Sequence, residues 1–270
     1  MKLKDKVAIV TGGGTGIGKA ISLAFASEGA TVVVAARTLS RLEEVAEDIK
    51  SKGGRAKAIQ TDITDEKQVQ RMVAQTINEY GQIDILVNNA GGTIHRANVV
   101  DMKLGWWNEV LAVNLTGSML CAREALKTMI PRKSGTIINI GSEGGRSGYP
   151  MRSAYSVSKG GLIRLTETLA IEVGGYGIRV NCISPAAVRT EAMDKYVRAK
   201  AKELSISYDE VAKGLTAYNS LKRAAEPSEI ATAAVFLASD ESSAITGHTL
   251  VVSCGLHLEH APPFVQLHSG

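Results

Sequence analysis

The most regular feature of the chain is a series of short apolar runs rich in Val, Ile and Ala. The runs are nearly continuous rather than alternating, which is typical of strands buried on both faces of a parallel sheet. Six of them occupy residues 7–10, 31–36, 85–87, 136–140, 178–183 and 250–252, and a weaker one occupies residues 55–60. We therefore predict seven strands.

The segments between these runs have the spacing of amphipathic helices. Between residues 40 and 50, the apolar positions on one helical face are Leu42, Val45, Ala46 and Ile49. Residues 66–80 repeat the pattern, with Asp65 as a candidate N-cap. Longer helices are expected over about 103–130 and 153–173.

The alternation of strands and helices predicts an α/β fold. Right-handed crossovers place helices on both faces of a doubly wound (Rossmann), mainly parallel seven-stranded sheet. No stretch rich in Pro, Gly or Ser divides the chain, so we predict a single domain over residues 1–255, followed by a tail at 256–270. Residues 189–222 are charged and helical in propensity, and we expect them to form a lid over the substrate.

Composition and charge limit the classes of function. Of the 270 residues, 44% are hydrophobic and 21% are charged, as in ordinary globular proteins. The net charge of +4 is scattered and only 4% of residues are aromatic, which disfavours nucleic-acid binding and leaves room for an anionic cofactor. We expect a cytoplasmic protein with no membrane partner, because no apolar stretch approaches the roughly 20 residues of a membrane span and the N-terminal run is too short for a signal peptide. The cysteines have no metal-binding spacing, so we expect free thiols and no bound metal.

A glycine-rich turn follows the first apolar run and precedes a predicted helix. Such a turn lets the backbone approach a pyrophosphate, and the helix N-terminus supplies N–H groups and a positive dipole. The glycines follow the spacing Gly12-x-x-x-Gly16-x-Gly18 rather than the G-x-G-x-x-G pattern, and an ordinary tight turn is the alternative. The turn residues that we expect to contact a dinucleotide are Gly12, Gly14, Thr15, Gly16, Ile17 and Gly18.

The residue at the end of the second strand predicts which dinucleotide binds. Sites that prefer NAD(H) often place an acid here for the ribose 2′-hydroxyl. This chain has Ala36 and Arg37 instead, and a guanidinium pairs well with a 2′-phosphate. We predict a preference for NADP(H), with NAD(H) as a possible second cofactor; the alternative is that Arg37 stacks on adenine or faces solvent.

Tyr155 and Lys159 are candidates for acid–base chemistry. They are four residues apart, so on a helix they share one face. A nearby ammonium favours the phenolate and lowers the tyrosine pKa from its usual value of about 10. Tyr155 would then give a proton to a carbonyl or take one from an alcohol. A Tyr-x-x-x-Lys pair alone is common on solvated helix faces, so other residues must support this interpretation.

Several further motifs provide that support through their order and spacing. They are Thr11-Gly12-x-x-x-Gly16-x-Gly18, Asn88-Asn89-Ala90-Gly91, Asn114, Ser142, Tyr155-x-x-x-Lys159 and Asn181-x-x-x-Pro185. Together they resemble the short-chain dehydrogenase/reductase family over about residues 3–255. The resemblance implies a homotetramer, or a homodimer, acting on a small-molecule carbonyl or alcohol.

The resemblance also implies roles for single residues. Ser142 holds the substrate oxygen, Tyr155 is the general acid/base, Lys159 binds the nicotinamide ribose and lowers the Tyr155 pKa, and Asn114 positions a water that connects Lys159 to solvent. Asp62 and Ile63 contact adenine. The remaining cofactor contacts are Asn89, Ala90 and Gly91 at the adenosine ribose and Pro185, Val188 and Thr190 at the nicotinamide end. Structural alternatives are a strand-end cap for Ser142, a helix-kink cap for Asn114 and a turn role for Asp62.

The chain departs from the family pattern at three places. Ala186 stands where glycine usually follows the proline, which stiffens that loop. The frequent Asp-Gly-Gly ending is replaced by Ser253-Cys254-Gly255. The tail carries His257, His260 and His268, for which we favour a disordered segment over a metal site or a contact with a neighbouring subunit.

The substrate pocket is less well defined by the sequence. Its expected lining comprises Ser142, Tyr155, Gly92, Thr93, His95, Glu143, Tyr149, Met151, Ala187 and part of the lid. Arg146 and Arg152 lie near the catalytic segment, and we interpret them as solvated loop charges rather than anion ligands.

The function that these features favour is an NADPH-dependent carbonyl reductase of the 3-oxoacyl-reductase or ketoreductase kind. The nearest alternative is an NAD(P)-dependent dehydrogenase of a sugar acid, polyol or cyclic alcohol. An enoyl reductase is disfavoured because those relatives space Tyr and Lys more widely. A non-catalytic dinucleotide sensor is a lesser alternative, since Tyr155 and Lys159 are both present.

Overall fold

The computed structural model describes residues 1–256 of the chain. Within this range, seven strands form one sheet in the order β3-β2-β1-β4-β5-β6-β7, and every pairing is parallel. The strands are β1 (Val7–Thr11), β2 (Thr31–Ala36), β3 (Arg55–Gln60), β4 (Ile85–Asn88), β5 (Gly135–Ile140), β6 (Ile178–Pro185) and β7 (Thr249–Val252). The predicted doubly wound fold is confirmed, and each predicted apolar run lies in a strand.

The α-helices of the described residues also follow the apolar pattern. They are α1 (Gly16–Ser27), α2 (Leu39–Ser51), α3 (Glu66–Tyr80), α4 (Leu104–Leu111), α5 (Gly117–Arg132), α6 (Ser153–Val173), α7 (Glu191–Leu204), α8 (Tyr208–Thr216) and α9 (Pro227–Ala238). Asp65 caps α3 as predicted, and its carboxylate accepts hydrogen bonds from the backbone of Lys67 and Gln68. The long helix expected over 103–130 is α4 and α5 joined by a π-helical segment, Ala112–Thr116.

Two layers of helices cover the two faces of the sheet. In β1, Ala8 and Val10 pack into a cluster with α1, α2 and α9, whereas Ile9 packs on the other side with α3, α5 and α6. Successive side chains of a strand point to opposite faces, so a strand covered on both sides must be apolar throughout. This packing explains the continuous apolar runs.

The strand order places a crevice at the carboxyl ends of β1 and β4, where successive crossovers diverge. Thr11, the last residue of β1, ties these two ends together. Its hydroxyl donates to the Val87 carbonyl at 3.2 Å and accepts from the backbone N–H groups of Asn89 at 3.0 Å and Ala90 at 3.1 Å. The loop after β4 is therefore held beside the glycine-rich turn after β1.

The segment 189–222 contains α7 and α8 and no strand, and it follows the carboxyl end of β6. A short parallel bridge between Val188 and Ala225 closes its base. No helix in residues 1–256 is long and apolar enough to cross a membrane. The predicted tail, from residue 257 onward, lies outside the described residues together with its three histidines.

Candidate active site

The glycine-rich turn is packed so closely that side chains are excluded. A Cβ atom on Gly18 would lie 2.2 Å from the Gly12 carbonyl oxygen and 2.4 Å from Nδ2 of Asn89. Gly12 itself has a φ of +64°, in the left-handed region. Thr15, the N-cap of α1, makes no side-chain bond to the first N–H groups of that helix, which leaves them for an anion. The turn therefore fits a dinucleotide pyrophosphate.

Two adjoining clefts open at the carboxyl ends of the strands and share the glycine-rich turn and the loop after β4. The first is lined by Gly12, Thr15, Gly16, Ile17, Arg41, Asn89, Ala90, Gly91, Gly92, Ser142, Tyr155, Lys159, Pro185, Ala186, Val188, Thr190 and Lys195, among others. The second is lined by Gly14, Ala36, Arg37, Thr38, Arg41, Thr61, Asp62, Ile63 and Ile94, among others. The structure thus brings together every sequence-predicted cofactor residue except Gly18, which packs beneath the turn.

The second cleft has cationic side chains beside the end of β2. Arg37 and Arg41 both line it, and Arg41 also forms an ion pair with Glu191 of α7 at 3.2 Å. Asp62 lines the same cleft from the end of β3, and its carboxylate accepts hydrogen bonds from the Thr64 N–H at 2.9 Å and the Thr64 hydroxyl at 2.7 Å. Asp62 therefore has the turn role considered above while also bordering the cleft.

Tyr155 and Ser142 lie together in the first cleft. Ser142 follows β5, and its Oγ accepts a hydrogen bond from the Gly144 N–H at 3.0 Å, so it also caps the short helical turn after the strand. Tyr155 is in the first turn of α6 and is near enough to Ser142 for a hydrogen bond between them to lower its pKa. A substrate oxygen placed between these two hydroxyl groups would contact both.

The electrostatics of Tyr155 differ from the sequence-based expectation. Burial raises the Tyr155 pKa, while the hydrogen bond to Ser142 and the charge of Arg152 lower it. The Nζ of Lys159 donates a hydrogen bond to the Ile140 carbonyl at 2.7 Å. Burial lowers the pKa of Lys159 itself to about 8. The role that the sequence analysis assigned to Lys159 stays a prediction.

Asn114 holds the loop after β4 against α6. Its Oδ1 accepts from the Gly92 N–H at 2.8 Å, and its Nδ2 donates to the Gly92 carbonyl at 3.1 Å and to Ser158 Oγ at 3.0 Å. The residue lies in the π-helical segment, and such segments are frequent at functional sites. Since both amide N–H groups are already bonded to protein atoms, the side chain acts first as a clamp, and the implied water-positioning role stays a prediction.

The predicted substrate contacts are only partly brought together. Ser142, Tyr155 and Gly92 line the cleft, but Glu143 is buried and accepts a hydrogen bond from Ser184 Oγ at 2.7 Å. The substrate contact predicted for Glu143 does not fit this placement, because a carboxylate next to a strand end is bonded internally. The bond joins two segments 41 positions apart, so no local pattern in the sequence predicts it.

The other predicted substrate contacts lie on nearby loops. His95 is bonded to Glu109 at 2.7 Å and stacks on Trp106 with a centroid distance of 5.0 Å. Tyr149 lies beside Arg152, and Thr93 is half-buried in the loop after β4. Within residues 1–256, no group of three or more His, Cys, Asp or Glu residues is placed to hold a metal ion.

Comparison with known proteins identifies the family. A family model described as "Enoyl-(Acyl carrier protein) reductase" matches residues 12–257. The chain is 37% identical to the uncharacterized oxidoreductase YxbG of Bacillus subtilis, over 94% of this chain and 92% of that protein. It is 36% identical to the 3-oxoacyl-[acyl-carrier-protein] reductase FabG of Thermotoga maritima, over 95% and 99% respectively.

Solved structures agree with the sequence relatives. Levodione reductase superposes with a TM-score of 0.91 and 30% identity, covering 96% of this chain and 100% of that one. A variant of actinorhodin polyketide ketoreductase solved with NADPH gives 0.88 and 32%, covering 93% and 97%. A putative gluconate dehydrogenase from Agrobacterium tumefaciens gives 0.87 and 32%, covering 94% and 97%.

The fold, the glycine-rich turn and the Ser–Tyr–Lys cluster define a dinucleotide-dependent oxidoreductase. The chain belongs to the short-chain dehydrogenase/reductase family, whose members bind NAD(P).

Sequence reasoning missed three features of the site. The ion pair from Arg41 to the helical insertion joins residues 150 positions apart, and the bond from Lys159 to Ile140 involves a backbone carbonyl. The third is the proximity of Arg152 to Arg96. The available signal is the basic residues on the loops that flank Tyr155, of which the sequence analysis interprets Arg146 and Arg152 as solvated charges.

Proposed function

We propose that the protein is an NADP(H)-dependent carbonyl reductase that interconverts a ketone and a secondary alcohol. The observation that carries the proposal is that Ser142, Tyr155 and the buried Lys159 line one cleft together with the glycine-rich turn. An acid–base pair beside a dinucleotide cleft is the arrangement that carbonyl reduction requires.

The proposed mechanism assigns one task to each side chain. A bound reduced dinucleotide supplies the hydride. Ser142 orients the substrate oxygen and stabilises negative charge on it. Tyr155 gives its proton to that oxygen during reduction and recovers it in the reverse direction. Lys159, whose pKa burial lowers to about 8, would exchange a proton near neutral pH and hold the nicotinamide ribose.

The preference for NADP(H) rests on the charges at the end of β2. Ala36, Arg37, Thr38 and Arg41 line this part of the cleft, with Asp62 on the neighbouring strand end. Two guanidinium groups favour a 2′-phosphate, and Ala36 offers no carboxylate to bond a ribose 2′-hydroxyl. The ketoreductase whose structure is similar was solved with NADPH, in line with this preference.

The alternative functions differ from the proposed one in their substrate more than in the residues that would act on it. The description of the family model favours enoyl reduction, against which we weigh the four-residue spacing of Tyr155 and Lys159 and the presence of Ser142. A dehydrogenase of a sugar acid, polyol or cyclic alcohol would use the same residues in reverse, and the gluconate dehydrogenase neighbour supports that candidate.

The decisive experiment is an NADPH-oxidation screen over ketones, diketones, oxoacyl thioesters, enoyl thioesters and sugar ketoacids, repeated with NADH and, with alcohols, in the oxidative direction. We expect turnover of ketones with NADPH preferred and no turnover of enoyl thioesters. Reduction of enoyl thioesters alone would overturn the proposal, as would tight NADPH binding without turnover of any compound.

The assembly, the location and the lid complete the proposal. We propose a cytoplasmic homotetramer, or a homodimer, in which the segment 189–222 closes over the substrate. The exposed apolar residues Val99, Val100 and Leu104 next to α4 support burial against another copy. Light scattering of the purified protein measures the mass, and a monomer would contradict the proposed assembly.

A further inference from the structure

Two arginines on separate loops, Arg96 and Arg152, lie near each other and near Tyr155. Arg96 is in the loop after β4, and Arg152 directly precedes α6. The loops are joined next to them by a hydrogen bond from the Ala97 N–H to the Met151 carbonyl at 3.1 Å and by a parallel bridge between Ala97 and Arg152. The backbone therefore holds the two guanidinium groups in the same region.

Neither guanidinium forms an ion pair or a hydrogen bond with the described part of the chain. Arg96 lies over the ring of Tyr196, 4.4 Å from its centroid, and Arg152 lies 5.7 Å from the centroid of Tyr149. Arg146, on the loop before Arg152, is by contrast paired with Glu143 at 3.4 Å. Acidic partners are thus present near this region, but none reaches the pair.

This arrangement disfavours the charged form of Arg152. Its side chain is half-buried, and both burial and repulsion by Arg96 lower its pKa. Desolvated like charges without a counter-ion are unfavourable in a folded protein. A carboxylate or a phosphate bound between two neighbouring guanidinium groups would accept hydrogen bonds from both and remove the repulsion.

The pair is coupled to the reaction centre on the substrate side. Arg152 precedes Tyr155 by three residues, and its charge lowers the Tyr155 pKa. Tyr196, beneath Arg96, belongs to α7 of the helical insertion. An anion bound here would therefore lie between the reacting tyrosine and the segment that we propose as a lid.

We propose that Arg96 and Arg152 bind an anionic group of the substrate, a carboxylate or a phosphate, so that the enzyme acts on oxo acids or phosphorylated ketones rather than on neutral ketones. This inference rests on the proposed function for its reaction but concerns a separate set of residues. It corrects the interpretation of Arg152 as a solvated loop charge.

The test compares charged and neutral ketones of the same carbon skeleton. The substrates are 4-oxopentanoate, 5-oxohexanoate and 6-oxoheptanoate, each with its methyl ester, and dihydroxyacetone phosphate with dihydroxyacetone. Steady-state kcat/KM with NADPH is measured for wild type, Arg152→Gln, Arg152→Lys and Arg96→Gln. Binding of the same compounds to the NADPH complex is measured in parallel by quenching of NADPH fluorescence.

We expect wild type to prefer the charged member of at least one pair, and each Arg→Gln variant to lose about 10- to 100-fold in kcat/KM or affinity for that member alone. Arg152→Lys should retain part of the preference, because it keeps the charge but loses the bidentate geometry. The chain length that is preferred indicates how far the anion sits from the reacting carbonyl, and the phosphate pair distinguishes the two anions.

The control is Arg164→Gln, which removes the same charge from an exposed position of α6, where Arg164 pairs with Glu167. This variant should leave the ratio of kcat/KM for the charged over the neutral member of every substrate pair unchanged. Equal charged-to-neutral ratios in wild type and in both Arg→Gln variants would overturn the anion site even if ketones are reduced. Arginine-dependent binding of the anions without turnover would instead support the anion site and count against the proposed reductase.

Discussion

The two halves of the cleft are built by different means. In the half formed by β1, β2 and β4, contacts are made by close-packed backbone, and a Cβ on Gly18 would lie 2.2 Å from a carbonyl oxygen. In the half next to α6 and the helical insertion, the lining includes the side chains of Tyr155, Lys159 and Lys195, and Arg96 and Arg152 lie on neighbouring loops. We propose that the first half holds the cofactor through its shape and that the second selects the substrate through its charge.

This difference between the two halves indicates which of them tolerates amino-acid substitutions. NAD(H) and NADP(H) share the same pyrophosphate, which needs backbone N–H groups at one fixed position. Substrates vary among proteins of one fold, and side chains on loops adapt to them without disturbing the sheet. Four substitutions test this contrast, from the largest expected effect to the smallest.

Tyr155→Phe removes the acid–base group while keeping the aromatic ring that packs near Gly144. We expect a loss of kcat of about 10³-fold, because proton transfer by a positioned side chain contributes 10² to 10⁴. NADPH affinity, measured by fluorescence, should change less than about threefold, since binding depends on the other half. A variant that retains more than a tenth of wild-type kcat would contradict the role of Tyr155.

Gly18→Ala disrupts the close backbone packing of the glycine-rich turn in the cofactor half of the cleft. Its methyl group would collide with the Gly12 carbonyl and with Asn89, so we expect a loss of about 3 kcal/mol in unfolding free energy and weakened NADPH binding. Gly105→Ala is the matched control, because Gly105 is in α4 with nothing within 4 Å of the added Cβ. It should be neutral or stabilising by up to about 1 kcal/mol. Equal effects at the two positions would refute the packing argument, with urea denaturation as the measurement.

Lys159→Met tests the buried ammonium where the two halves meet. Burial lowers the Lys159 pKa to about 8, whereas the unfolded chain titrates near the ordinary value of 10.5. Between these values the unfolded state binds more protons, so native stability rises with pH, and below pH 8 the full cost of the buried charge is present. We expect wild type to gain about 2 kcal/mol relative to Lys159→Met between pH 7.5 and 10.

Urea denaturation of both proteins at several pH values in the absence of cofactor measures this gain. Taking the difference between the two proteins cancels the titration of other groups, which they share. A constant difference across the range would show that the Lys159 pKa is not lowered by folding.

Arg37→Ala tests the end of β2, where charged side chains line the cofactor half of the cleft. We expect the ratio of kcat/KM for NADPH over NADH to fall about tenfold, because a charge-assisted hydrogen bond to the 2′-phosphate is lost. Arg71→Ala, at an exposed position of α3, removes the same charge and should leave the ratio unchanged. A wild-type ratio near one would contradict the predicted preference from the start.

Much of the fold was predictable because it depends on local pattern. The strand at 55–60 and the helix at 153–173 agree with their predicted bounds, since burial on both faces and helical periodicity leave direct marks on the sequence. The π-helical segment around Asn114 was not predictable. Its i→i+5 hydrogen bonds depend on backbone geometry that the apolar pattern of the flanking helices does not specify.

The site residues that belong to sequence motifs were predictable. The contacts between residues far apart in the sequence were not. Tyr155 and Ser142 were found by spacing, and the structure places them in contact. The burial of Glu143 against Ser184 joins two strand ends 41 positions apart, and nothing local in either segment signals it.

By itself, the sequence determined that this chain is a doubly wound oxidoreductase with a glycine-rich turn and a tyrosine–lysine helix, because short-range spacing specifies strands, turns and helix faces. Only the tertiary structure decided which charges surround that tyrosine. It turned Lys159 toward Ile140 and brought Arg96 to Arg152, because the electrostatic environment of a group depends on burial and on neighbours that the chain order does not contain.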